Sequence, residues 1–93
     1  MKFEWDERKN QINQEKHGIS FELAAYVFQD EHYIEMFDFE HSTVDEERYI
    51  AIGRVGRILF VVFTERKEDI RLISARLATE EERRRYYDQD IYY

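Results

Sequence analysis

The side chains best suited to chemistry on a charged substrate are basic residues at the ends of predicted elements. His17 ends a polar helix beside Lys16, and histidine is the side chain whose unperturbed pKa lies nearest neutrality. Arg66 and Arg76 each close a predicted strand, and a guanidinium binds phosphate in a bidentate manner and stays charged. Glu65 precedes Arg66 and could act as a base. Together these residues could transfer protons and stabilise an anion.

Each of these residues also has a structural interpretation. Arg66 and Arg76 could be solvated strand ends, and Glu65 could be a charged turn residue. His17 could complement the dipole of its helix from the C-terminal end. The pattern alone leaves these alternatives open.

The remaining histidines and the last helix give weaker signals. Tyr86 lies at helical spacing on that helix and could stack on a nucleobase, although aromatic residues at this spacing are typical of a core. His32 and His41 lie in acidic, loop-like segments, which favours solvated positions. The chain has no Cys, and its three His show no ligand spacing, so we expect neither a metal site nor a cofactor.

Length and composition indicate one domain, residues 1–93. The chain has no Pro and only three Gly, and no low-complexity tract separates one part from another. The longest apolar run, Ile58–Phe63, is far short of the roughly 20 residues that span a bilayer. The first residues lack the apolar stretch of a signal peptide. We therefore expect a cytoplasmic protein with no membrane partner.

Charge is divided into two consecutive blocks within a net charge of −7. Residues 19–47 hold nine acidic residues and no Lys or Arg, whereas residues 48–77 hold seven basic and three acidic residues. The blocks could simply balance each other at the surface. They could also form two surfaces, an anionic one for a cationic protein and a cationic one for phosphate.

Periodicity and capping signals predict the order β-α-α-β-β-β-β-α. Asp6 and Ser20 are candidate N-caps, Gly18 is a candidate C-terminal stop, and Thr79 with Glu82 forms a candidate capping box. The predicted helices end at about His17, Phe28 and Asp88. The predicted strands are Lys2–Trp5, Tyr33–Phe39, Arg48–Arg54, Arg57–Thr64 and Ile70–Arg76.

Short connections between the last four strands predict an antiparallel meander with segregated helices, which is an α+β fold. The charged segment Glu65–Asp69 is predicted to be the last turn of this meander. Strict alternation along the last strand would place Arg76 on the face of Ile70, Leu72 and Ser74, and Arg71 on the opposite face.

Several segments together resemble the BrnT toxins of bacterial type II toxin–antitoxin pairs. They are Phe3-x-Trp5-Asp6, Asn13-x-x-Lys16-His17-Gly18-Ile19, Thr64-Glu65-Arg66, and Ile73-Ser74-Ala75-Arg76-x-Ala78-Thr79. The resemblance covers residues 3–87. It implies a RelE-like fold, a small antiparallel sheet packed with helices, and a metal-independent endoribonuclease that cleaves RNA and arrests growth.

The resemblance also implies partners and site residues. A cognate BrnA-like ribbon-helix-helix antitoxin would neutralise the toxin, and the pair would repress its own operon, with operator DNA contacted only through the antitoxin. Arg66 and Arg76 would stabilise phosphate, and His17 or Glu65 would act as acid or base. Four further residues would contact RNA: Lys16, Lys67, Arg71 and Tyr86.

A second hypothesis is an interaction module without catalysis. Here the chain would be the partner subunit that modulates a DNA-binding antitoxin, and residues 30–47 would dock a basic surface. Toxicity of the lone protein separates the two hypotheses.

Overall fold

The computed structural model describes residues 2–89, which form an α+β domain. Its strands are β1 (Phe3–Glu4), β2 (Ile34–Phe37), β3 (Arg48–Val55), β4 (Arg57–Arg66) and β5 (Asp69–Leu77). Its helices are α1 (Glu7–His17), α2 (Phe21–Ala24) and α3 (Glu80–Asp88). The predicted second helix is α-helical only to Ala24, because residues Ala25–Gln29 tighten into a 3₁₀ segment.

The five strands form one mixed sheet in the order β1-β5-β4-β3-β2. The last four strands are antiparallel neighbours, as predicted, but β1 pairs with β5 in parallel. The wholly antiparallel sheet is therefore a wrong prediction. The helices that follow β1 connect it to the four antiparallel strands. β1 lies at the edge of the sheet beside β5 and runs in the same direction as β5.

Capping fixes the first helix as the sequence predicts. The side chain of Asp6 accepts hydrogen bonds from the backbone of Arg8 and Lys9, and Gly18 ends the helix with a φ of 71°. The helix has almost no apolar face, and it is attached by buried amides instead. The side chain of Asn10 donates to Glu22 (2.7 Å) and accepts from the backbone N–H of Phe21 (2.8 Å).

The larger core lies between one face of the sheet and the segment from α1 to the 3₁₀ turn. Its largest fully buried side chains include Phe21, Val27 and Phe63. The 3₁₀ segment approaches β3 closely at Gly53, where a Cβ atom would lie 2.7 Å from Val27 Cγ1. A side chain at position 53 would therefore push this segment off the sheet.

The opposite face of the sheet is only partly covered. Helix α3 begins with the predicted Thr79–Glu82 capping box and buries a smaller core of Ile52, Ile58, Ala78 and Tyr86. The Tyr86 hydroxyl donates to Asp30 Oδ2 at 2.6 Å and fastens the helix to the turn before β2. The rest of this face stays open beside α3.

A register shift in β5 changes which residues face the open side. Phe63 pairs with Leu72, whereas its neighbour Val62 pairs with Ser74, so one residue of β5 is extra at this point. Cross-strand partners share a face, so Arg71, opposite Thr64, and Arg76, opposite Phe60, lie on the same side of the sheet. The prediction that these two arginines lie on opposite faces was wrong, because an alternating pattern does not reveal a bulge.

The last hairpin also differs from its predicted turn. Strands β4 and β5 continue to Arg66 and from Asp69, which leaves Lys67 and Glu68 as the connection. Lys67 adopts a φ of 58°, and a positive φ at the first residue of the loop is typical of two-residue hairpin turns.

Candidate functional site

A groove of about 380 Å³ lies on the open face of the sheet. We call it the sheet-face groove. Its floor is Ile50, Phe60, Val62 and Ser74 from the three central strands, and its walls are Asp38, Glu40 and His41 on one side and Arg76 and Glu82 on the other. A volume of this order suits a small ligand or one unit of a polymer.

Arg76 is held flat in this groove. Its guanidinium carbon lies 3.9 Å from the centre of the Phe60 ring, a cation–π geometry. Its two terminal nitrogens donate to the carboxylate of Glu82 at 2.8 and 3.0 Å. Among the hydrogen bonds of residues 2–89, none uses the Arg76 Nε–H. Arg76 thus places a positive charge and the Nε–H donor in the wall of an open groove.

The partner carboxylate is stabilised in its charged form. Burial raises the pKa of Glu82, but hydrogen bonds from Arg76 and from Thr79 at the helix cap outweigh burial, and the net pKa is lowered. The capping box and the arginine therefore share one ionised group. Helix α3 fixes the position of Arg76 through this link.

His41 faces the same groove in a hydrogen-bonded pair with Asp38. The imidazole Nδ1 lies 3.0 Å from Oδ2 and 3.2 Å from Oδ1 of the carboxylate. The Asp38 side chain is 7% exposed, whereas that of His41 is 62% exposed. The solvated position predicted for His41 is confirmed, but its pairing with the buried carboxylate of Asp38 was not predicted from the sequence. The Asp38-x-x-His41 spacing was its only signal, because an aspartate three residues earlier can accept in a turn.

Lys16 and His17 lie in a different groove. This α1 groove, of about 200 Å³, is also lined by Lys9, Ile12, Asn13, Ile73 and Ser74. Ser74 lines both grooves, so they meet across β5. Lys16 and His17 are thus neighbours of the sheet-face groove rather than part of its wall.

Glu65, Arg66 and Lys67 line a third depression at the end of the β4–β5 hairpin. This cleft of about 540 Å³ is bordered on its other side by the acidic loop residues 44–47. Arg66 lies 3.9 Å from Glu46, which also binds Arg48 at 2.9 Å. Part of the acidic block therefore neutralises part of the basic block here.

The two arginines expected to act together lie far apart. Arg66 pairs with Asp69 at one end of the hairpin, and Arg76 pairs with Phe60, six residues away along β4. At about 3.3 Å per residue, their backbones are about 20 Å apart. One phosphate group cannot contact both side chains from these positions without rearrangement.

The last two predicted RNA contacts differ in their surroundings. Arg71 lies opposite Thr64, beside the edge strand β1, and its guanidinium is 3.9 Å from Glu4. Tyr86 is only 5% exposed and belongs to the smaller core. Burial together with the hydrogen bond to Asp30 raises the pKa of its hydroxyl. The structural interpretation of Tyr86 holds, and its ring has little surface to offer a base.

Residues 2–89 offer neither a metal-binding cluster nor a membrane-spanning helix. No cluster of three or more His, Asp or Glu side chains with metal-binding geometry lies within that range. None of its helices is long and apolar enough to cross a membrane.

Sequence and structure comparisons place this α+β domain among bacterial toxins. The family model "Ribonuclease toxin, BrnT, of type II toxin-antitoxin system" matches residues 5–82, and the chain belongs to this family. The crystal structure of the Brucella abortus ribonuclease toxin BrnT is similar, with 29% sequence identity and a TM-score of 0.65. The match covers 86% of this chain and 99% of that one. No curated protein sequence matches the chain significantly.

Proposed function

We propose that this member of the BrnT family is a metal-independent endoribonuclease of the cytoplasm that cleaves RNA and arrests growth. The observation that carries the proposal is Arg76, stacked on Phe60 and braced by Glu82 at the wall of an open groove. Cleavage at the ribose 2′-hydroxyl builds negative charge on the phosphate, and a preorganised guanidinium stabilises that charge. We also propose that the fold of this domain is RelE-like.

The remaining basic residues are proposed to bind RNA outside the cleaved linkage. Lys16 and His17 border the α1 groove, which continues the sheet-face groove past Ser74. Arg71 shares the open face of the sheet, and Arg66 and Lys67 lie at the end of the hairpin. Each would meet a different nucleotide of a longer strand. Glu65, beside Arg66, is the alternative proton acceptor at that distant end.

The proposed regulator is a BrnA-like ribbon-helix-helix antitoxin that neutralises the toxin and mediates operator binding. A cationic antitoxin surface fits the loop after β2, which carries Asp45, Glu46 and Glu47 beside the exposed Phe39 and Val44. Complementary charge would steer association, and the apolar side chains would supply buried contact. The same loop supports the second candidate function, a non-catalytic partner subunit of such an antitoxin.

Induced expression of the lone chain in bacteria tests the proposal. We expect growth arrest and RNA cleavage with the wild type, and normal growth with intact RNA for Arg76→Ala. Arg57→Ala is the matched control, because Arg57 is exposed and lies outside the sheet-face groove. Normal growth with intact RNA from folded, soluble wild type would contradict the ribonuclease proposal and favour the partner-subunit function.

A further inference from the structure

We propose that His41 is the general base of the reaction and that Asp38 is its positioning residue. The inference rests on the proposed ribonuclease function and names a proton acceptor for it. It assigns this role to His41 in place of His17, although the Asp38-x-x-His41 spacing is the only sign of the pair in the sequence.

The geometry of the pair leaves one imidazole nitrogen available. An ionised carboxylate only accepts hydrogen bonds, so Nδ1, at 3.0 Å from Asp38 Oδ2, carries the proton. Nε2 then holds a lone pair, and the side chain is 62% exposed beside the groove. This is the tautomer that a base requires, held by a buried partner as in other histidine–carboxylate pairs.

The backbone of Asp38 is itself fixed by the sheet and by the turn that follows it. The N–H of Asp38 donates to the carbonyl of Arg48 at 2.9 Å, which extends the β2–β3 pairing. Ser42 closes the turn, with its N–H donating to the Asp38 carbonyl (3.1 Å) and its Oγ accepting from the Arg48 N–H (2.8 Å). The base therefore stands on a braced turn rather than on a free loop.

His17 lacks such support. Its side chain makes no hydrogen bond to another residue within the range 2–89, and it lines the α1 groove without Arg76. His41 and Arg76 stand on opposite walls of one groove. A phosphodiester between them would meet a base and a cation at the same time.

The step would proceed as an internal transfer at phosphorus. Nε2 of His41 takes the proton of the ribose 2′-hydroxyl, the 2′-oxygen forms a bond to phosphorus, and the bond from phosphorus to the 5′-oxygen breaks. The leaving oxygen takes a proton from water, and the hydroxide so formed recovers the proton held by His41. The products are a 2′,3′-cyclic phosphate and a 5′-hydroxyl end.

The test is cleavage of a labelled single-stranded RNA by the purified full chain. We expect His41→Asn to lower kcat by about 10²- to 10⁴-fold, and added imidazole to restore part of the activity of His41→Ala. His32→Asn is the matched control, because His32 is exposed and lies outside all three depressions. Circular dichroism would verify that each variant is folded.

Asp38→Asn tests positioning separately from binding. We expect kcat to fall with KM unchanged and the pH profile of kcat to shift, since the imidazole loses its ionised partner. The other charged groups lining the groove are Glu40, Arg76 and Glu82, and they are unaltered. Full activity of His41→Asn alongside an active wild type would overturn the inference, as would an unchanged pH profile for Asp38→Asn. An inactive wild type would instead overturn the proposed function.

Discussion

The side-chain amide of Asn13 takes the place of a neighbouring strand for Ala75. It donates to the Ala75 carbonyl at 2.8 Å and accepts from the Ala75 N–H at 3.1 Å, across 62 positions of sequence. This satisfies backbone groups of β5 where β1 no longer covers its edge. A helix with almost no apolar face is thereby attached to the sheet, close to the strand end that carries Arg76.

Asn13→Ala is expected to lower the free energy of unfolding by about 2 kcal/mol, because it leaves buried backbone groups without partners. Urea denaturation monitored by circular dichroism measures the change. Gln14→Ala is the control, since Gln14 is exposed on the same helix, and it should change stability by less than about 0.5 kcal/mol. Equal stability of the two variants would contradict this role of Asn13.

Tyr86→Phe is expected to destabilise the fold by about 1–2 kcal/mol and to reduce its sensitivity to acid. Burial raises the pKa of Asp30, but hydrogen bonds from Tyr86 and from the backbone of His32 and Arg54 outweigh burial, and the net pKa is lowered. A lowered folded pKa contributes stability above the ordinary aspartate range, and this contribution is lost as pH falls through the folded value.

The measurement for Tyr86 is urea denaturation near neutral pH and at about pH 3. The wild type should lose more stability between the two conditions than Tyr86→Phe does. Tyr87→Phe is the control, because Tyr87 is half exposed. If Tyr86→Phe loses as much stability in acid as the wild type, the hydrogen bond from Tyr86 does not lower the pKa of Asp30.

Removal of Lys9 and Lys16 together tests whether RNA follows the α1 groove. The double alanine variant should bind single-stranded RNA more weakly, and the slope of log affinity against log salt should fall by about 0.7 for each lost phosphate contact. Fluorescence anisotropy at several salt concentrations gives the slope. Arg8→Ala, an exposed change outside this groove, should leave it unaltered; no difference from Arg8→Ala would place RNA elsewhere.

Glu82→Gln tests whether Arg76 needs its carboxylate partner to be held in position, since the positive charge of Arg76 itself is kept. Glutamine can still accept from the Thr79 N–H and keep the cap, but it removes the ionic partner of the guanidinium. We expect lower KM for RNA, because a competing carboxylate is gone, and lower kcat, because the guanidinium is no longer braced. Steady-state kinetics measures both, and a kcat equal to that of the wild type would mean that bracing is not required.

Local signals in the sequence predicted the parts of the fold that depend on neighbouring residues. The N-cap at Asp6, the C-terminal stop at Gly18 and the Thr79–Glu82 capping box are confirmed at those residues. Each motif acts through hydrogen bonds within one turn of helix, so residue type and spacing are sufficient.

The site was less predictable because it depends on register and burial. Arg71 and Arg76 share a face because of the bulge opposite Val62 and Phe63, which alternation does not reveal. The contact of Arg76 with Phe60 depends on the pairing of β5 with β4, which residue types alone do not specify. The pairing of His41 with a buried Asp38 depends on a turn being folded against β3. The family resemblance predicted the class of protein, and Arg76 is the predicted residue that the geometry supports most strongly.

The most direct measurement is the rate at which the purified chain cleaves a single-stranded RNA when Arg76 is changed. We expect the wild type and Arg57→Ala to cleave, Arg76→Ala to be slower by about 100-fold or more, and Arg76→Lys to recover little, because an ammonium group cannot stack or bind bidentately. An RNA lacking 2′-hydroxyls should remain uncut. Cleavage by folded Arg76→Ala at the wild-type rate would contradict the proposed role of Arg76 in RNA cleavage.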